Sequence, residues 1–280
     1  MKTNPDGVDE TTLPPVGLEH LTLYTEPLSV FVAAAAAGGA ETICMSVGHP
    51  DVHDRRTLRE ALMRLDSSDL SIAMGDGFLL NSEAGLDGLE RKLEILIDMG
   101  ATSANTCAFE ADPDRRRTPD HIEDLLGEFC RLAHTAGVDV LLEFTPLSHV
   151  PSLAAAADLV KRLDQPNLRI LVDTLHLARA GEGPDDIGNI DRQLIGYCQI
   201  SDGPMVSENL SAYMNEAMYE RAIPGHGQLP LAEILSLLSR DVIVSAEVPL
   251  RSLEQAGVSP AERAERIIDS SRRLLARARA

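Results

Sequence analysis

The chain has 280 residues, 44% of them hydrophobic and 25% charged, a composition that supports a packed core and excludes a disordered or collagen-like chain. Its 25 Lys and Arg against 44 Asp and Glu leave a net charge of -19, which repels phosphate backbones and anionic bilayers and excludes nucleic acid and membrane surfaces as expected partners. At this length one α/β barrel or two ordinary domains are both open.

The polar, acidic opening MKTNPDGVDETTLPP lacks the apolar middle of a signal peptide, so residues 1–17 read as a loose arm and 18–280 as one domain. From there, short runs rich in Val, Ile and Leu alternate with amphipathic segments, the pattern of βα units around a parallel sheet. Strands are expected at 19–24, 41–47, 70–74, 101–108, 138–143, 168–173, 194–199 and 242–247; the fourth is Thr, Ser and Asn rich and departs most from the pattern. Helices are expected at 28–37, 55–65, 86–99, 119–136, 152–163 and 231–238, with a last one after Ser259-Pro260. Thr118 before Pro119, and Gly137 after Ala136, supply capping chemistry at the ends of one of them. The apolar run at 28–37 is too short to span a bilayer. Cys44, Cys107, Cys130 and Cys198 are too scattered for a zinc cluster or a disulfide framework and read as reduced thiols of a cytosolic protein. Eight such units fit a (β/α)8 TIM barrel better than an open doubly wound sheet, and the polar stretch 203–228 before the last strand reads as a binding loop or lid.

Chemistry concentrates where four successive strands end: VDVLLE at Glu143, LRILVD at Asp173, LIGYCQ at Gln199 and VIVSAE at Glu247. In a barrel these ends open on the face that carries active sites. Any single acidic ending is explained equally well as the place where a buried strand meets solvent. Three carboxylates and an amide in register instead call for a compensating cation, and an all-oxygen set suits Mg2+ or Mn2+ better than zinc.

These endings, with the Asp and His of DTLH, the Arg and glycines of ERAIPGHGQLPL and the Glu of SAEVP, resemble the xylose isomerase-like sugar isomerases and epimerases, whose barrel is shared by endonucleases of the endonuclease IV type. The resemblance implies one divalent metal held by Glu143, Asp173, Gln199 and Glu247, with His176 and Arg221 contacting substrate. It further implies an isomerase or epimerase of a small keto sugar, in which Glu143 and Glu247 exchange the proton of the carbon that the metal acidifies. Most epimerases of this family have His where this chain has Gln199. Gln there is similar to some 3-dehydroshikimate dehydratases of the same fold, so a lyase that removes water from a hydroxylated keto acid, with His176 as proton donor, stands as the alternative. Repair of abasic DNA is disfavoured by the charge, and a binding subunit that has lost turnover remains a further alternative. A small molecule is the expected partner, and homo-oligomerisation is left open. Asp202 reads either as a support for Gln199 or as a loop cap, and Arg115, Arg116 and Arg117 as a solvated loop within reach of an anionic substrate.

Overall fold

Eight parallel strands close on one another in chain order in the computed structural model, which describes residues 14–110, 112–115 and 117–280. They are β1 (Gly17–Glu19), β2 (Thr42–Ser46), β3 (Ser71–Leu79), β4 (Ser103–Cys107), β5 (Asp139–Glu143), β6 (Leu168–Asp173), β7 (Ile195–Ile200) and β8 (Ile243–Ala246). The barrel closes where Gly17 and Leu18 pair with Ser245 and Ala246. Gly17 is required there, because a Cβ would fall on the hydroxyls of Thr42 and Ser245. Of the expected arm, residues 1–13 lie outside the described residues, while Val16 and Gly17 are buried.

The alternation of side chains sorts the barrel into two cores. Cys44, Ala73, Met74, Leu141, Leu171 and Tyr197 fill its interior, and a larger apolar layer joins the outer strand faces to the surrounding helices. Two residues beyond Leu141, Leu171 and Tyr197 on the same inner face stand Glu143, Asp173 and Gln199. The strand period therefore delivers these three polar side chains to the mouth, directly above the apolar floor.

Two strands depart most from expectation: β3 continues to Leu79, five residues past the expected end at 74, and so takes in Asp76. β1 ends at Glu19 instead of starting there, because His20–Leu23 turns into a 3-10 helix. Side chains replace the sheet ladder beyond that point: His20 Nδ1 accepts from the Ser46 amide at 3.2 Å, and Thr22 Oγ1 accepts from the Val248 amide at 2.9 Å. The polar fourth strand forms, with Asn105 and Cys107 on its inner face buried. The capping reading holds at Pro119–Thr135, where Thr118 accepts from the His121 amide, and at Pro260–Arg279, where Ser259 accepts from the Glu262 amide. Within 203–228 lies a helix that the sequence reading did not place, Leu210–Tyr219, capped by Asn209. All four cysteines are free and buried, and no helix among the described residues is long and apolar enough to cross a membrane.

Candidate active site

The strand ends converge at the mouth. Ligand atoms of Glu143, Asp173 and His176 lie within 4.8 Å of one another, a grouping able to hold a metal ion. Asp173 sets up this geometry. Its Oδ1 accepts from the amides of Leu175 (2.7 Å) and His176 (3.2 Å), starting the short helix Thr174–Arg179 at the strand end and turning the imidazole back over the barrel. His176 Nε2 then lies 3.4 Å from Glu143 Oε1, while its Nδ1 is 2.8 Å from the Tyr213 hydroxyl, itself 2.7 Å from Thr145 Oγ1.

Arg221 enters from the returning loop and is 4% exposed, beneath the surface the loop presents. Its Nη1 donates to Asp173 Oδ2 at 2.7 Å, its Nη2 contacts Glu247 Oε2 at 2.6 Å and its Nε donates to the Ala217 carbonyl at 3.0 Å. The neighbouring Glu216 pairs with Arg179, at 2.7 Å, and not with Arg221. Asp202 does not touch Gln199. Its carboxylate gathers the amides of Gly203, Gly225 and Leu229, which is the loop-cap reading, and Gly227 must be glycine because a Cβ would collide with that carboxylate.

Gln199 is 1% exposed. Its Nε2 donates to Glu19 Oε2 at 3.2 Å and to Glu247 Oε1 at 3.3 Å, while its Oε1 is buried without a hydrogen-bond partner. Glu19 also accepts from the Tyr197 hydroxyl at 2.8 Å. On the opposite side Asn105 donates to Glu143 Oε2 at 2.9 Å and to Asp76 Oδ1 at 3.3 Å. Glu19, Asp76, Asn105 and Tyr213 are absent from the sequence-derived set. Asp76 and Asn105 were hidden because they lie inside strands rather than at apolar run ends, and Tyr213 because its partner comes from another segment.

Electrostatics follow from crowding. Burial, reinforced by the charge on Asp173, pushes Glu143 up to about 8. Burial also raises Glu19, Asp76 and Glu247. For Asp173 burial works in the same direction, but Arg221 and His176 overcome it and hold the carboxyl down to about 2. Burial lowers His176 to about 4, so the imidazole is neutral at physiological pH. Five carboxylates therefore share one buried guanidinium, and with the orphaned amide oxygen they form a donor set short of positive charge. A hard divalent cation fits such a set.

Above it opens a cavity of about 870 Å³ whose wall includes Asp76, Lys92, Asn105, Glu143, His176 and Glu247, with Leu21, Leu147, Met214 and Leu250 among its apolar members. Arg115 and Arg117 are engaged elsewhere, Arg115 pairing with Glu83 at 2.7 Å and Arg117 donating to the Ser82 carbonyl at 2.6 Å, and Arg116 is outside the described residues. His226 is exposed on the loop.

The chain is 26% identical over 152 residues to a 3-dehydroshikimate dehydratase of Pseudomonas aeruginosa, a match covering 54% of this chain and 23% of that protein, so the match takes in about a quarter of the relative's length. Among solved structures it superposes on the IolI protein with a bound zinc atom at a TM-score of 0.77, with 16% identity over 94% of this chain and 98% of that one. D-psicose 3-epimerase of Clostridium cellulolyticum H10 superposes at 0.68, with 15% identity over 93% of this chain and 99% of that one. The family model described as a xylose isomerase-like TIM barrel matches residues 13–278, and the closed barrel with its ring of strand-end oxygens agrees: the chain belongs to that family.

Proposed function

We propose that this protein is a divalent-metal-dependent dehydratase of a hydroxylated, cyclic keto acid, with Mn2+ or Mg2+ held by Glu143, Asp173, Gln199 and Glu247. The observation that carries the reading is the asymmetry of the two glutamates. Both line the cavity, but Glu247 is clamped by the Arg221 guanidinium and the Gln199 amide, whereas Glu143 is held by the neutral Asn105 amide and stands beside a neutral imidazole. One acid/base pair on one face suits loss of water. The Pseudomonas relative, named for a dehydration, supports the same choice.

A hard cation in this set supplies Lewis acidity that polarises the substrate carbonyl and acidifies the adjacent C–H. Glu143, held up at about 8 by burial and the charge of Asp173, would be returned to its ionised form by a bound cation and is the base that accepts that proton. The C–H electron pair becomes the new C=C as the β C–O bond breaks, and His176 gives its Nε2 proton to the departing hydroxyl. Glu143, 3.4 Å away, returns a proton to His176, so water is the net product. Tyr213 holds the imidazole from its other nitrogen. Arg221 locks Asp173 and Glu247 in place and contributes positive charge beneath the substrate. Lys92, whose ammonium donates to the Gly77 carbonyl at 2.6 Å on the cavity wall, has donors to spare for the substrate carboxylate. The apolar wall residues accommodate the faces of a carbocycle.

Epimerisation of a keto sugar is the second reading, favoured by the placement of Glu143 and Glu247 at one mouth. Both readings require bound metal. Protein loaded with Mn2+ should hold one ion per chain, and Asp173→Ala should lose both the ion and turnover; turnover that survives Asp173→Ala and chelation overturns both. With metal present, a hydroxylated cyclic keto acid should give rising ultraviolet absorbance of a conjugated product lighter by one water. A product of unchanged mass selects the epimerase.

A further inference from the structure

Glu19 is a buried carboxylate that no step above uses. It ends β1 inside the barrel, 1% exposed, where a carboxylate needs hydrogen-bond donors or a counter-charge to replace its lost hydration. The donors around it are specific. Tyr197 donates its hydroxyl to Oε1 at 2.8 Å, and Gln199 donates its Nε2 to Oε2 at 3.2 Å.

The neighbours favour one orientation of the Gln199 amide. Its Nε2 stands between Glu19 Oε2 and Glu247 Oε1, and while these oxygens act as acceptors the NH2 group suits that place, whereas an amide oxygen would confront two acceptors. Once that end is fixed, Oε1 is turned the other way, where it lies buried and unpartnered. A terminal amide has two nearly isosteric ends, and only the oxygen can ligate a cation.

We propose that Glu19, held by Tyr197, is a positioning residue that fixes the Gln199 amide with its oxygen presented for metal binding. The inference rests on the proposed metal site for its consequence, whereas the amide orientation itself belongs to the metal-free protein. Gln199 differs in this from Asp173 and the glutamates, whose two oxygens are interchangeable and need no such selection.

The test has two readouts. In metal-free protein labelled with 15N-glutamine, the Gln199 side-chain amide, assigned by its loss in Gln199→Ala, should be distinct and slow to exchange, and Glu19→Gln should abolish both properties. Titration calorimetry with Mn2+ should show affinity falling about ten- to a hundredfold in Glu19→Gln, the usual penalty for removing a group that orients a ligand. Glu19→Gln added to Gln199→Ala should cost nothing further, since its effect passes through the missing amide. An unchanged Gln199 amide signal, or fully additive losses, overturns the proposal. If Glu19→Gln fails to fold, Tyr197→Phe removes the second anchor of the carboxylate and should loosen the same amide signal, and an unaltered signal there overturns it equally. If wild-type protein binds no Mn2+, the proposed function fails, while the amide signal still decides whether Glu19 orients Gln199.

Discussion

Two histidines near the mouth are neutral for the same reason and differ in use. His176 is turned toward the cavity by the backbone amides that Asp173 caps, a return foreshadowed by the three-residue step in Asp-Thr-Leu-His. His20 is packed away, stacked on Phe31 at 4.5 Å with His49 alongside, and burial followed by the charge of His49 lowers it to about 3. Above pH 6.5 neither the folded nor the unfolded chain protonates it. Below that value the unfolded chain takes up a proton that the folded chain refuses until about 3, so stability is complete at neutral pH and declines as the pH falls. Urea titrations should show His20→Asn, which keeps an acceptor for the Ser46 amide, to be less stable at pH 7 but flatter by about 2–4 kcal/mol between pH 6.5 and 3.5. An acid dependence as steep as in wild type would assign the slope to other groups.

Among the elements, most strands were legible because they bury both faces and so read as apolar runs, whereas the Ser, Asn and Thr of β4 and the Gly-Asp-Gly of β3 break that pattern. Their chemistry was legible only where a polar side chain ended the run, as at Glu143, Asp173, Gln199 and Glu247. Glu19 was read as opening a strand because Leu21 and Leu23 prolong the apolar pattern, although the chain has already turned into a 3-10 helix. Tyr213 carried no local signal, since its helix is brought over the mouth by Arg221 holding the Ala217 carbonyl and by contacts with His176 and Thr145. The segment that carries it depends on Asp202, which accepts three backbone amides across the loop. Asp202→Ala leaves those donors to find water and should cost about 1–3 kcal/mol. Limited proteolysis should then cut within 203–228 well before wild type is touched, and equal resistance would mean that the contacts of Arg221 and Tyr213 hold the helix without Asp202.

Over the whole molecule the acidic excess has two distinct effects. At the surface it is a diffuse repulsion that salt screens, whereas at the mouth it is a local cluster that only a bound cation neutralises. Calorimetric melting should therefore rise by a few degrees as NaCl increases from about 0.01 to 0.15 M, where the Debye length falls to about 8 Å. Millimolar Mn2+ at constant ionic strength should add a further increase, because a ligand bound to the folded state alone stabilises it by mass action. Asp173→Ala should keep the first increment and lose the second.

The pairing of Gly17 with Ser245 also sets an order of events during synthesis. A ribosome delivers residues 17 to 19 first and must add more than two hundred others before their second neighbour strand exists. Until then β1 has a partner on one edge only, and contacts this distant in the chain are slow to form. Glu19 would wait throughout that interval with its own hydrogen-bond donors, Tyr197 and Gln199, among the later arrivals. The carboxylate is thus free to stay hydrated while the chain grows, and it loses its water only as the last strand shuts the ring.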